Sequence, residues 1–473
     1  MTAASLADLL FAPAERPEPD ALAVVDAETD TTWAQLAERA EAIGVRLRDA
    51  GVETGMPVAV QLADSAMLVA TIFGVWRAGG VYVPLNPRST ASERARVFDV
   101  VQPAVHITMD DGALRMDGVE GETARHDAGV ALVQMTSGTT GRPKPVLLTH
   151  AGVLELMDGV LRKIRGGAKR EAGAGRPMPN LIPVSLSLWA GIYNMLFAFR
   201  VGAAVVLLGA FEPQRFAELV ERYQVKSTVL PPAAMTMLTN DDAIADLAPL
   251  RFVRSITAPL SPLEATRFHD KFGIAILNSY GQTEIGGEII GWNAAESREF
   301  GASKLGALGR PHDGVHVRID DPTGELQVRT PALSAGYADG ADLGDRLTDD
   351  GWFRTGDIGR VDDDGFVWIE GRMSDMINRG GLKVFPAEVE EVLRLSPSIA
   401  DVAVVGAPDD RVGEVPVAFV VLRGDGALDA AALDALAREQ LAPYKVPMRF
   451  VQIDALPRND VGKVLVRELL TRL

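Results

Sequence analysis

The sequence predicts an α/β protein: a large N-terminal domain of α/β subdomains over residues 1–371, then a small C-terminal α+β domain over residues 372–473. Three observations carry this expectation. With 473 residues the chain is too long for one hydrophobic core. Up to about Gly301, apolar runs of strand length alternate with amphipathic runs of helix length, the pattern of parallel sheets flanked by helices. Beyond Gly301, short strands are separated by Asp–Gly turns, and the residues after Arg372 read as a compact unit of their own.

The elements follow in order. Thr31 and Thr32 precede Trp33, Leu36, Ala40, Ile43 and Leu47, spaced by three and four, with Gly51 behind them; this is a capped amphipathic helix. A strand is expected over Pro57–Leu62, a helix over Met67–Ala78 stopped by Gly79 and Gly80, and a strand in "VYVPLNP". "SERARVFDVV" and "AVHITM" repeat the alternation. The apolar stretch Leu181–Phe211 is broken by Pro183 and Arg200, so it reads as buried helix and strand rather than a membrane span. "PQRFAELVERYQ", "KSTVLPP", "RFVRSITAPLSP", "LEATRFHDKF" and "IAILNSYGQTE" alternate helix and strand again, and the strands end in loops where such sheets bind ligands. "GVHVRIDDPTGELQVRT" reads as a hairpin turning at Pro322, Thr323 and Gly324. The tail holds helices at "PAEVEEVLRLSP" and "DAAALDALAREQ", strands at "DVAVVGAP", "VPVAFVVLR" and "MRFVQIDAL", and a last helix.

Composition narrows the function. A net charge of −17 argues against nucleic acid or an anionic membrane as the main partner. Absence of cysteine excludes disulfides, thiolate metal sites and a Cys nucleophile, so any thioester chemistry uses a thiol brought by a substrate. The N-terminus lacks the basic region of a signal peptide and carries Asp8; a cytoplasmic protein is expected.

One stretch organises the rest: "QMTSGTTGRPKPVLLTH", Gln134–His150. An apolar strand leads into Thr136, Ser137, Gly138, Thr139, Thr140 and Gly141, six small residues followed by Arg142 and Lys144. Such a loop lets backbone N–H groups converge on an anion with hydroxyls beside them. Its spacing is not that of a Walker A loop. The residues alone are equally those of a flexible surface loop.

With its neighbours, the stretch resembles the adenylate-forming superfamily of acyl-CoA synthetases, peptide-synthetase adenylation domains and luciferases. Further motifs stand in the family's order: "NSYGQTE", "GELQVRTPALSAGY", "WFRTGDIG", "GRMSDMINRGGLKVFPAEVE" and "LPRNDVGK". The likeness spans nearly the whole chain and is strongest to the acyl-CoA ligase branch. It implies an active site between the two domains, ATP, Mg²⁺ and CoA as co-reactants, and a carboxylic acid as substrate. The acid attacks the α-phosphate of ATP to give acyl-AMP and pyrophosphate. The CoA thiol then releases AMP. Positioning and charge stabilisation dominate such chemistry.

By match to the motifs, Thr136, Ser137, Gly138, Thr139, Thr140, Gly141 and Lys144 would hold the β- and γ-phosphates. Thr257, Ala258 and Pro259 would line the adenine site, with Ser279, Tyr280 and Gly281 beside them and Tyr280 stacked on the base. Thr283 would touch the α-phosphate and Glu284 would bind Mg²⁺. Asp357 would accept the ribose hydroxyls, with a further contact from Arg372. Lys463 would bring a compact cation to the carboxylate and α-phosphate. Gly380 and Gly381 would leave room for the pantetheine arm of CoA. Each also has an ordinary reading: core aromatic for Tyr280, turn residue for Asp357, surface charge for Lys463, hairpin turn for the glycines.

The sequence departs from the family pattern in four places. Pro145 and Thr257 stand where glycine is usual, Ser374 stands at the expected hinge, and Leu186 replaces the histidine of a Pro-x-x-His motif at the acyl pocket. Trp189 lies close by. Few charges between about 185 and 290 favour apolar acids. Two alternatives share these residues: delivery of the acyl-AMP to a separate carrier protein, and a non-catalytic binding relative. The sequence does not speak to oligomeric state.

Overall fold

The computed structural model describes residues 5–13, 17–27, 29–136, 144–165, 177–424, 426–458 and 464–473. It is a mixed α/β protein with a large N-terminal domain and a smaller C-terminal domain. The expected capped helix spans Trp33–Asp49; Thr32 accepts from Gln35 N–H while the Gln35 side chain returns to Thr32 N–H.

Two sheets deliver the functional loops. In the first, Val105–Asp110, Pro57–Val60, Val81–Pro84 and Val130–Thr136 run parallel. Antiparallel strands close both edges, Ala113–Gly118 on one side and Lys144–Thr149 on the other. In the second, Ser227–Leu230, Phe252–Ser255 and Ala275–Gln282 are parallel, and Gly287–Gly291 and Arg310–Pro311 continue antiparallel. The alternation in the sequence thus anticipates the parallel centres but not the antiparallel edges. Short returning strands such as Gly287–Gly291, which follows directly on a 3-10 turn, are not announced by the alternation.

The Asp–Gly-rich region forms an antiparallel sheet of His316–Asp320, Glu325–Arg329, Phe353–Val361 and Val367–Arg372. Beyond it lie the Ile377–Arg379 and Leu382–Val384 hairpin, the long pair Ile399–Asp409 and Gly413–Leu422, and Arg449–Gln452. The apolar clusters divide along the same line. One is built on Leu36, Phe73, Trp76 and Phe199, another on Phe216 and Phe268, while Ile377, Leu393, Val420 and Leu433 form a cluster containing no earlier residue. Phe385 bridges the junction: a Cβ at Gly371 would stand 2.4 Å from its ring, so only glycine admits this approach.

Candidate active site

The Val130–Thr136 strand leads to the small-residue loop and Lys144–Thr149 returns beside it, pairing Thr136 with Lys144. Thr136 Oγ1 donates to the Lys144 carbonyl at 3.3 Å. Ser137, Gly138, Thr139, Thr140 and Gly141 lie outside the described residues. Pro145 sits in the returning strand at the sheet edge, where a missing N–H is tolerated, and its carbonyl accepts from Ala338 N–H. The segment around Gly336 runs along this strand, with Leu147 and Gly336 bonded at 3.0 Å. It brings the Tyr337 ring to 5.2 Å from the Lys144 ammonium. The same segment grips the next motif, since Ser334 N–H donates to the Glu284 carbonyl at 2.7 Å.

Thr283 and Glu284 occupy a single 3-10 turn after the Ala275–Gln282 strand. Glu284 is half-buried, and among the described residues its carboxylate has neither ion pair nor hydrogen bond. No cluster of three metal-ligating side chains exists among the described residues. A lone uncommitted carboxylate fits Mg²⁺ that keeps its waters and takes further oxygens from phosphates.

Asp357 is 3% exposed. Oδ2 accepts from Tyr280 Oη at 2.5 Å and Gln282 Nε2 at 2.8 Å; Oδ1 accepts from Arg372 Nε at 2.9 Å. Arg372 is its direct cross-strand partner, so strand register sets the pair. Burial, then the charge of Asp357 and its hydrogen bond, push the Tyr280 phenol well above its usual range, which keeps it a donor. Gln282 also meets Thr355 O at 2.9 Å, and Arg346 donates to Gln282 Oε1 at 3.2 Å. Sequence reading passed over Gln282, Arg346 and Tyr337; the polar Gln inside the "YGQTE" strand was the one available signal.

Ser279 Oγ donates to the Ser255 carbonyl at 2.8 Å, joining Tyr280's strand to the Phe252–Ser255 strand. The exposed residues Thr257, Ala258 and Pro259 follow that strand. Ala258 N–H bonds back to Ile256 O, a three-residue turn that forces Thr257 to φ +70. This accounts for the expectation of glycine there, because a β-branched residue pays strain in that region. Gly281 is required by contact: a Cβ would stand 1.8 Å from Gly287 O.

Hydrogen bonds, a cation–π contact and short stretches of chain therefore link Lys144, Tyr337, Glu284, Gln282, Tyr280, Asp357 and Arg372. Gly380 and Gly381, at φ +61 and +87, form the two-residue hairpin turn after Ile377–Arg379, and Gly380 N–H bonds to Val412 O within the small domain. Ser374 Oγ bonds to Asp375 at 2.9 Å. Lys463 lies outside the described residues.

At the Pro-x-x-His position, Leu186 is fully buried. Its N–H and the Ser185 hydroxyl both bond to Asp64, at 3.0 and 3.2 Å. Burial raises the Asp64 pKa against these two bonds. Trp189 Nε1 donates to Gly286 O at 3.1 Å and closes this wall.

A buried carboxylate held by three donors and a Glu284 carboxylate without an ion pair, on strands that carry the motifs, match the arrangement expected of an adenylate-forming enzyme. The comparisons with known proteins agree. The AMP-binding enzyme family model matches residues 11–338, and the AMP-binding enzyme C-terminal domain matches residues 388–463. The chain is 30% identical to an indoleacetate–CoA ligase of Aromatoleum aromaticum, covering 96% of each. It superposes on ATP-bound MatB of Rhodopseudomonas palustris with TM-score 0.87 at 25% identity, covering 99% and 98%. On the o-succinylbenzoate CoA synthetase of Bacillus subtilis, solved with its acyl-adenylate intermediate, the TM-score is 0.84 at 25% identity, covering 98% and 97%. The chain belongs to the AMP-binding enzyme family, as an adenylate-forming acyl-CoA ligase that uses ATP, Mg²⁺ and CoA. No helix among the described residues is long and apolar enough to cross a membrane.

Proposed function

We propose that activation of the acid and formation of the thioester share one site, between a domain of residues 1–371 and a domain of residues 372–473. The observation that carries this reading is Asp357: a buried carboxylate with three donors, on the last sheet before the junction. Asp357 and Arg372 hold the ribose, and Thr257, Ala258, Pro259, Ser279, Tyr280 and Gly281 surround the base. Thr136 to Gly141 and Lys144 receive the pyrophosphate. Thr283 contacts the α-phosphate, and Glu284 holds Mg²⁺, which when bound neutralises phosphate charge.

The acid's carboxylate oxygen forms a bond to the α-phosphorus as the bond to pyrophosphate breaks. Lys463 neutralises the charge that develops there. The CoA sulfur then bonds to the acyl carbon and the acyl–AMP bond breaks, with Gly380 and Gly381 beside the pantetheine arm. The separate apolar cluster of the small domain supports its moving as a body about Arg372–Asp375. The cytoplasm supplies both ATP and CoA, and we place the enzyme there.

The test is ATP–pyrophosphate exchange over a panel of carboxylic acids, followed by addition of CoA. Acid-dependent exchange and a CoA thioester are expected. Exchange without a CoA thioester would redirect the second step to a carrier-protein thiol, and no exchange with any acid would overturn the reading.

A further inference from the structure

Arg346 ends the 3-10 turn Gly344–Arg346, in the loop before the Phe353–Val361 strand that carries Asp357. Leu343 is buried and anchors this turn, and its carbonyl accepts from Arg346 N–H at 2.8 Å. The guanidinium lies 4.5 Å from the centre of the fully buried Phe353 ring. Nε donates to Arg354 O at 2.9 Å, and Nη2 donates to Gln282 Oε1 at 3.2 Å and more weakly to Thr355 O at 3.5 Å. Ring contact and hydrogen bonds together fix the plane of the fork. Among the described residues Arg346 makes no ion pair, so no carboxylate competes for its donors.

Gln282 carries this fixed donor on to the candidate nucleotide site. Its Nε2 donates to Asp357 Oδ2 at 2.8 Å, Thr355 O at 2.9 Å and Tyr280 Oη at 3.0 Å. The carboxylate and the carbonyl can only accept, and the guanidinium can only donate. An amide side chain has two orientations related by a half-turn. In the observed one, each contact pairs a donor with an acceptor. Reversed, Oε1 would face the Asp357 carboxylate and the Thr355 carbonyl, and the amide hydrogens would face the Arg346 cation. Arg346 also polarises the amide through Oε1, which strengthens the Nε2–H bond to Asp357. Gln282 is therefore a donor braced from behind. It can hold Asp357 Oδ2 while the carboxylate exchanges another partner for a ribose hydroxyl.

We infer that Arg346 is a positioning residue for nucleotide recognition: through Gln282 it holds the Asp357 carboxylate in the orientation that accepts the ribose hydroxyls. The inference rests on the ribose site proposed above. A rival role is a direct one. Arg346 also stands near Tyr337, since burial and then Glu284 push that phenol up and the charge of Arg346 opposes them. From there the cation would act on the phosphates by charge alone.

Binding of ATP and of 2′,3′-dideoxy-ATP in the presence of Mg²⁺, measured by isothermal titration calorimetry, separates the two roles. The analogue keeps the triphosphate and offers Asp357 no hydroxyl. Arg346→Met keeps apolar contact with Phe353 and removes the fork. It should weaken ATP by about three- to tenfold and leave the analogue within about twofold of wild type. Gln282→Leu should do the same, and the double variant should be no weaker than the weaker single variant, because both cut one relay. Arg346→Lys keeps the charge without the fork and should behave as Arg346→Met.

Equal losses for the two nucleotides, additive losses in the double variant, or recovery with Arg346→Lys would overturn the inference. So would unchanged ATP binding by Arg346→Met. Should that variant not fold, Arg346→Lys and Gln282→Leu carry the same comparison. Asp357→Asn tests the site beneath the inference. If it weakens ATP while the Arg346 and Gln282 variants do not, only the inference falls. If it leaves ATP binding unchanged, the ribose reading falls and takes the inference with it.

Discussion

The Tyr280 hydroxyl donates to Asp357 Oδ2 at 2.5 Å, across 77 residues of chain. With Gln282 and Arg372 it fills three of about four acceptor positions on a buried carboxylate. Under the proposed binding of ribose by Asp357, two hydroxyls need two positions, so one resident donor would give way. Tyr280 and Gln282 are both neutral donors, and loss of the Tyr280 hydrogen bond still leaves Asp357 paired with Arg372. Tyr280→Phe should therefore change KM for ATP by less than about threefold, whereas Asp357→Asn should weaken ATP by about 10- to 100-fold, the range of a charge-assisted hydrogen bond. Steady-state kinetics at saturating acid read both, and a larger loss from Tyr280→Phe would contradict the exchange of partners.

Tyr337 underlies Lys144 at 5.2 Å and its hydroxyl is buried without a partner among the described residues. The ring holds the ammonium at the start of the Lys144–Thr149 strand. Tyr337→Leu should raise KM for ATP by about three- to fivefold, matching a cation–π contact of about 0.5–1 kcal/mol. Tyr337→Phe keeps the ring and should stay close to wild type, and a comparable loss in that variant would shift the role to the hydroxyl.

Among the described residues the Glu284 carboxylate makes no hydrogen bond or ion pair. Glu284→Gln should leave thermal stability within about 0.5 kcal/mol of wild type while raising the Mg²⁺ concentration that half-saturates exchange by tenfold or more. A Mg²⁺ titration paired with a melting curve separates these effects, and a large stability loss would mark Glu284 as structural.

Lys463→Ala should largely abolish acyl-AMP formation, a loss on the order of 3–4 kcal/mol of transition-state stabilisation. Thioester formation from preformed acyl-AMP should survive better, because the proposed role of the lysine is in the first step. Equal loss in both half-reactions would rule out a small domain that changes pose between them.

His150 follows the small-residue stretch and is mostly buried beneath the N-terminal segment. Its Nδ1 accepts from Leu6 N–H at 3.2 Å, and burial, opposed by Asp8, lowers its pKa to about 4. The unfolded chain takes up this proton near pH 6.5 and the folded chain only near pH 4. The folded state is therefore fully competitive above pH 6.5 and loses stability as pH falls toward 4, by up to roughly 3 kcal/mol. His150→Gln should flatten that part of the pH–stability curve. Parallel slopes for variant and wild type in denaturant titrations would assign the acid sensitivity to other groups.

The motif-bearing loops were legible in the sequence because each relies on local chemistry. A two-glycine turn makes the 380–381 hairpin, and the left-handed conformation of Thr257 follows from a three-residue turn where glycine was expected. The parallel strands were legible because both their faces are covered and their apolar runs are continuous. Leu186 was not: where a gating histidine was sought, the sequence shows one more apolar residue, and only packing reveals that it is fully buried.

Sequence order was enough to assign the chain to adenylate formation, because the chemistry demands its residue types within recognisable motifs. Folding settled what depends on partners far apart in the chain. Arg254 neutralises Glu288 and Trp189 bonds to Gly286, pairs 34 and 97 residues apart that no local pattern links. The charge balance around Glu288, from Arg254 and His312, belongs to this second kind. A buried charge reads the same in a sequence as an exposed one, and its effect on a ligand is set by the partner that cancels it and by the water that packing excludes.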